Sequence, residues 1–276
     1  MPYVKVGEEN GKAIHLFYED HGSGTPVVLV HGFPLSGAAW EKQTAALLDE
    51  GHRVITYDRR GFGKSDQPSF GYDFDTFAAD LSVLMEALDL RDGVLVGSCM
   101  GTGEVARYIG TYSSARVAKA VMLAPLPPCL GWDDDNPEGI DWSIFADMRR
   151  EIRTDRFAFL KNFLEEAHNA DVLGGSRIGF DALRAFFTVA AAASATATHD
   201  SVAAWTADFR DDLAKFDIPV LAVQGEDDRI MPIAVTGDRL KGHLHDLRYE
   251  VVEGGPHAIG WTHADEVNAA LIDFLR

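Results

Sequence analysis

Val94-Leu95-Val96-Gly97-Ser98-Cys99-Met100-Gly101-Thr102-Gly103-Glu104 is the stretch on which the reading of this chain turns. Residues 94–96 are strand formers and 104–108 are helix formers. Between them Gly97 and Gly101 flank Cys99 two residues away on either side, so the chain must reverse sharply at the cysteine. A tight strand-to-helix turn presses its flanking backbones together and leaves no space for a Cβ, which is why glycine holds both positions. The pattern predicts that Cys99 stands at the turn with its sulfur exposed. The helix behind it would aim free N–H groups and a positive dipole end at that sulfur, favouring a thiolate and any anion formed beside it. Ser98 is a poorer candidate, since its own flanks are Val96 and Met100. Taken alone, these residues fit a buried structural cysteine nearly as well. Partners elsewhere in the chain must decide.

Upstream, Pro26-Val27-Val28-Leu29-Val30 is continuously apolar, as a strand buried on both faces of a parallel sheet should be. An opening hairpin over 3–6 and 13–18 precedes it, joined by the Gly-Glu-Glu-Asn-Gly turn. A helix over 39–48, a strand over 54–57 and a helix over 74–88 follow, the last with Phe77, Leu81, Leu84, Met85 and Leu88 at helical spacing. Downstream, a buried strand over 118–123 stops at Ala124-Pro125-Leu126-Pro127-Pro128, which cannot continue a sheet interior. From 131 to 215 the pattern is helical, over 142–152, 157–168, 180–193 and 202–209, and the alanine-rich run 190–197 reads as packed helix. Alternation then resumes with a strand over 219–224, a helix over 234–242, a strand over 248–252 and a closing helix over 263–275. The order implies an α/β fold: a mostly parallel, doubly wound sheet with helices on both faces and an inserted helical cap. We assign 1–125 and 216–276 to the core and 126–215 to the cap. Functional residues should lie in loops at the carboxyl ends of the strands.

Cysteine at such a turn does chemistry only if a base handles its proton and a third group orients the base. Gln224-Gly225-Glu226-Asp227-Asp228-Arg229-Ile230-Met231-Pro232 follows one late strand and Glu253-Gly254-Gly255-Pro256-His257-Ala258 follows the next. Nucleophile, acid, histidine is the chain order of α/β-hydrolases, which makes Cys99, Asp228 and His257 a candidate triad. Asp227 and Glu226 are fallback acids. Alone, Asp228 would more often be a turn former and His257 a packing residue; placed after successive strands, they form a set. The early loop His31-Gly32-Phe33-Pro34 supplies the remaining part, because this architecture builds its oxyanion hole from the N–H after the nucleophile and one from that loop, here Met100 and Phe33. His31 reads as a hydrogen-bonder that stabilises the loop.

Composition narrows the partners. With 25 Lys and Arg against 43 Asp and Glu, the net charge of −18 disfavours nucleic acid and anionic membranes. No apolar run is long enough to span a bilayer, and the first residues carry no basic, apolar leader. Only Cys99 and Cys129 are present, too few for a disulfide framework or an all-protein zinc site, so a reducing cytoplasm is the expected compartment. The expected partner is a small acyl substrate, with no metal and no cofactor; assembly into homo-oligomers is left open.

As a set, His31-Gly32-Phe33-Pro34-Leu35-Ser36, Tyr57-Asp58-Arg59-Arg60-Gly61-Phe62-Gly63, Met100-Gly101-Thr102-Gly103-Glu104-Val105, Asp134-Asp135-Asn136-Pro137-Glu138-Gly139 and Gly254-Gly255-Pro256-His257 resemble the cofactor-free haloperoxidase group of the α/β-hydrolase superfamily. That group also includes perhydrolases, aryl esterases and γ-lactamases, and the likeness runs nearly end to end. The resemblance implies a helical cap over an acyl pocket, no metal or haem, and pocket walls at Pro34, Phe145, Phe159, Phe163, Ile230 and Ile233. Pro34 accompanies perhydrolase capability in the group. This chain departs at the centre, where the group has serine in place of Cys99 and usually a bulky residue in place of Ser98. The related dienelactone hydrolases use cysteine in a similar turn.

The sequence therefore predicts an acyl hydrolase acting on esters, lactones or activated amides through a Cys99 thioester. The alternatives are peracid chemistry of the perhydrolase and haloperoxidase kind, or a catalytically silent acyl-binding variant of a serine esterase.

Overall fold

The computed structural model describes residues 2–276. Its strands are β1 (Tyr3–Glu9), β2 (Lys12–Gly22), β3 (Pro26–Val30), β4 (Arg53–Tyr57), β5 (Gly93–Ser98), β6 (Val117–Leu123), β7 (Val220–Gly225) and β8 (Leu247–Val252). They form one eight-stranded sheet in the order β1-β2-β4-β3-β5-β6-β7-β8. β1 and β2 pair antiparallel, β2 joins β4 antiparallel, and every pair from β4 to β8 is parallel. The hairpin is tighter than the five-residue turn read from the sequence. Its strands run on to Glu9 and Lys12, and Asn10 and Gly11 alone reverse the chain at φ 51° and 75°. Two successive positive φ values suit Asn-Gly, and their twist matches the flanking strands.

The helices are α1 (Glu41–Asp49), α2 (Phe74–Ala87), α3 (Met100–Tyr112), α4 (Trp142–Ala167), α5 (Ala170–Leu173), α6 (Phe180–Ala191), α7 (Ala195–Ala204), α8 (Arg210–Leu213), α9 (Gly237–Leu240), α10 (Ile259–Thr262) and α11 (Ala264–Leu275). The central strands alternate between two hydrophobic clusters. Val27, Leu29, Val94, Val96, Val121 and Leu221 pack with Leu47 of α1 and Val267 and Leu271 of α11. Val28, Val30, Leu95, Met122 and Ala222 face the other way, against α2, α3 and the inserted helices. Both faces of the sheet are thus covered, which is why these strands carry no polar alternation.

Between β6 and β7 the chain leaves the sheet for α4 to α8. The two helices expected over 142–152 and 157–168 are both present within α4, separated at Asp155, whose backbone is extended rather than helical (φ −153°, ψ 91°). The Asp155 carboxylate accepts the Ala158 N–H at 3.0 Å and so caps the start of the second of them. The alanine-rich run is not one helix. Ser194 interrupts it, its hydroxyl accepting from Ala197 N–H at 2.9 Å and its own N–H donating to Gly61 O at 2.8 Å. That cap starts α7 earlier than the helix expected over 202–209. Among the described residues no helix is long and apolar enough to cross a membrane.

Candidate active site

Cys99 joins β5 to α3 with φ 52° and ψ −121°, a conformation an L residue holds only when its surroundings impose it. The surroundings are close backbone. A Cβ on Gly97 would meet Gly101 O at 2.6 Å, and one on Gly101 would meet Val30 O at 2.2 Å. Hydrogen bonds hold the turn from both sides. Cys99 N–H donates to Leu123 O at 2.9 Å, and Thr102 donates its N–H and its hydroxyl to Cys99 O at 2.9 and 2.6 Å. The exposed sulfur expected from the sequence is not observed. Cys99 is only 3% exposed and faces a cavity of about 70 Å³, because Phe163, Leu164 and Ala167 of α4 and Phe186 of α6 roof it.

Asp228 follows β7 and His257 follows β8, and both are buried. Nδ1 of His257 lies 3.1 and 2.9 Å from the two carboxylate oxygens of Asp228. Oδ1 of the same carboxylate accepts the N–H groups of Ile230 and Met231 at 2.9 and 2.8 Å, so its direction is fixed. Glu226 and Asp227 are exposed and do not take this place. Burial alone would lower the His257 pKa. The charges of the Asp228 carboxylate and the Cys99 sulfur, together with the hydrogen bonding of Asp228 to the ring, outweigh it and hold the pKa well above its ordinary value. His257 and Cys99 line the same cavity.

The N–H of Met100 opens α3 and has no intrahelical acceptor. Among the described residues the N–H of Phe33 makes no backbone hydrogen bond either, and Phe33 lines the cavity beside Cys99. A Cβ at Gly32 would stand 3.0 Å from the Cys99 Cβ and 3.1 Å from Ser98 O, so the loop runs tight against the turn. His31 anchors the loop from behind. It gives its Nδ1 proton to Gly32 O at 2.9 Å and accepts the Arg59 N–H at Nε2 at 3.0 Å. Burial, aided by the Arg59 charge, keeps it neutral by lowering its pKa well below the ordinary value.

Of the pocket walls expected from the resemblance, Phe163 lines the cavity and meets Phe33 edge-on with centroids 5.5 Å apart. Phe159 stacks on Phe163 one layer behind. Pro34 and Phe145 are buried, and Ile230 and Ile233 half-buried, but none of the four is among the cavity-lining residues. In their place the walls include Trp40, His168, Phe186 and Trp261, which the sequence reading missed. Helical spacing could have put His168 on the face of Leu164; nothing in the sequence signalled that this face meets Cys99. Cys129 lies elsewhere, its thiol directed at Gly131 O at 3.7 Å. Among the described residues no group of three His, Cys, Asp or Glu side chains could hold a metal ion.

A family model described as alpha/beta hydrolase fold matches residues 25–264. The chain belongs to that family. Within the alpha/beta hydrolases it is 55% identical over 276 residues, spanning 100% of both chains, to a Synechocystis sp. protein named for the non-heme chloroperoxidases. It is 31% identical over 279 residues, again across 100% of both, to the bifunctional esterase/perhydrolase DCH of Acinetobacter calcoaceticus. The crystal structure of a bromoperoxidase from Bacillus anthracis superposes with a TM-score of 0.95 at 42% identity, over 99% of this chain and 98% of that one. These relatives are of the haloperoxidase and perhydrolase group whose motifs the sequence carries.

Proposed function

We propose that this alpha/beta hydrolase transfers acyl groups from small carboxylic esters, lactones or activated amides through a thioester at Cys99. The observation that carries the reading is the strained Cys99, at the start of α3, sharing one cavity with the ring of a His257 anchored on Asp228. In the first half-reaction the Cys99 sulfur, its proton held by His257, attacks the carbonyl carbon. The N–H groups of Phe33 and Met100 receive the developing oxyanion, each contributing about 3 kcal/mol when aligned. His257 then gives its proton to the leaving alkoxide or amine as the carbon–leaving-group bond breaks. In the second half-reaction His257 takes a proton from water, the hydroxide adds to the thioester carbonyl, and the carbon–sulfur bond breaks to release the acid and regenerate the thiolate–imidazolium pair.

A second reading is favoured by the relatives' names: hydrogen peroxide replaces water as acceptor and the product is a peracid, which oxidises halide in solution. Peroxide admitted to the cavity as acceptor would meet the Cys99 sulfur between turnovers and oxidise it, so we rank hydrolysis first. The experiment is intact mass during turnover of 4-nitrophenyl butyrate. A transient gain of one butyryl group, absent in Cys99→Ala along with a drop in turnover of about 10³-fold or more, supports the thioester. A permanent adduct identifies an acyl trap instead. Turnover unchanged in Cys99→Ala overturns the reading, and peracid formation with added peroxide, with the thiol intact, would put the second reading first.

A further inference from the structure

The cavity beside Cys99 is apolar on most of its surface, yet two of its lining residues bury a polar atom without a hydrogen-bond partner among the described residues: Nε2 of His168 and Nε1 of Trp40. Neither side chain is a member of the triad or of the oxyanion loop. His168 is 1% exposed and Trp40 3%. The protonation of His168 follows from its contacts. Its Nδ1 lies 2.8 Å from Leu164 O, a carbonyl that only accepts, so Nδ1 carries the proton and Nε2 presents a lone pair. Burial, above all, lowers its pKa to about 4, so the ring is neutral at physiological pH. Trp40 has only an N–H to offer. Two residues of the cavity lining thus carry a spare acceptor and a spare donor, both removed from solvent.

Leaving such atoms unpaired is unfavourable, and native interiors rarely tolerate it without a reason. A plain alkyl acyl chain filling this cavity would keep both unpaired. A hydroxyl has one proton to give and lone pairs to accept with, which matches an imidazole nitrogen and an indole N–H together. Building on the acyl-transfer reading above, we propose that this cavity selects hydroxy-acyl substrates, the acyl hydroxyl donating to His168 Nε2 and accepting from Trp40 Nε1. His168 is then a specificity-determining residue. The wall that holds it, from Leu164 to His168, also carries the Ala167 carbonyl that accepts the Ala258 N–H at 2.8 Å, so its position is tied to the residue after His257.

The test compares kcat/KM for 4-nitrophenyl esters of butyrate, 2-hydroxybutyrate and 3-hydroxybutyrate in the wild type, His168→Phe and Trp40→Phe. Phenylalanine keeps a ring against Phe186, whose centroid is 5.0 Å from that of His168. The expected result is a preference of about 10-fold or more for one hydroxy ester over butyrate in the wild type, lost in His168→Phe and weakened in Trp40→Phe. Because the readout is a ratio within one protein, a partly folded variant does not obscure it. No preference in the wild type, or an undiminished one in His168→Phe, overturns the proposal. If the wild type hydrolyses none of the esters, the acyl-transfer reading has failed, and the selectivity is read separately by calorimetric titration of Cys99→Ala with the three free acids. Tighter binding of a hydroxy acid that disappears when His168→Phe is added then upholds the proposal; equal or undetectable binding overturns it.

Discussion

Nε of Arg59 lies 2.6 Å from Oε2 of Glu104, and neither side chain is exposed to solvent at all. The pair joins the two halves of the proposed oxyanion site. Glu104 rides on α3 behind Cys99, while Arg59 gives Nη2–H to His31 O at 2.9 Å and its backbone N–H to His31 Nε2, fixing the loop that carries Phe33. Tyr57 adds a hydroxyl donated to the other Glu104 oxygen. Burial raises the Glu104 pKa, and the Arg59 charge and the Tyr57 hydrogen bond work against that rise.

Removing one member of this pair should be worse than removing both. Glu104→Ala leaves a guanidinium buried without its counter-charge, at about 3–5 kcal/mol of stability, whereas apolar replacement of both partners is often neutral. We expect Arg59→Met combined with Glu104→Leu to recover most of the urea midpoint lost by Glu104→Ala, yet to remain slow in ester turnover because the His31 carbonyl has lost the Nη2–H that holds it. Full recovery of kcat in the double variant would mean that the pair serves stability alone.

The charge state of His257 should depend on both neighbours. The Asp228 carboxylate and the Cys99 sulfur each raise its pKa against the effect of burial. Cys99→Ala and Asp228→Asn are therefore each expected to lower the imidazole pKa, followed by NMR titration of the ring. Asp228→Asn should also slow turnover by about 10³–10⁴-fold, as loss of the orienting acid does in Ser-His-Asp triads. A His257 titration unmoved by Cys99→Ala would mean that the sulfur does not face the ring.

Much of this arrangement was legible in the sequence, and the reason is local. Gly97, Cys99 and Gly101 declare their turn because steric exclusion acts between near neighbours, and Asp228 and His257 declare theirs because each follows a strand with its own apolar run. The burial of Cys99 was not legible, since its roof comes from α4 and α6, far away in the chain. The same holds for Trp40 and His168. Whether a helix face meets solvent or a cavity depends on the angle at which the chain leaves Asp155, and the sequence places that gap between the two segments of α4 without giving the angle.

Acid stability offers a check on His168 that does not require a substrate. Its pKa falls from an ordinary 6.5 to about 4 in the fold. The unfolded chain therefore binds a proton that the folded protein refuses between those values. The stability from the neutral ring is fully present above about pH 6.5 and is lost as pH falls toward 4. Between pH 7 and pH 5 the linked loss is about 2 kcal/mol. Urea unfolding at the two pH values should show wild type losing about that much more than His168→Phe. His257 titrates in both proteins, so its opposite contribution largely cancels in the comparison. Equal losses would mean that His168 is hydrated and protonates freely.

The turn itself can be tested against a glycine that has room. A Cβ at Gly101 would stand 2.2 Å from Val30 O and 2.9 Å from His31 O, and β3 cannot retreat because it is paired to β4 on one side and β5 on the other. A Cβ at Gly242 would meet only Arg239 O, at 3.5 Å, an ordinary contact. Gly242→Ala should stay within about 0.5 kcal/mol of wild type in urea unfolding. Gly101→Ala must push α3 away from β3, separating the Met100 N–H from the Phe33 N–H and misdirecting the Cys99 sulfur. Displacements of about 1 Å at a reacting centre slow catalysis by about 10²-fold, so the protein that does fold should turn over esters at least that much more slowly. A Gly101→Ala protein as stable and as fast as Gly242→Ala would show that the tight approach of β3 to the cysteine turn is not what holds the site together.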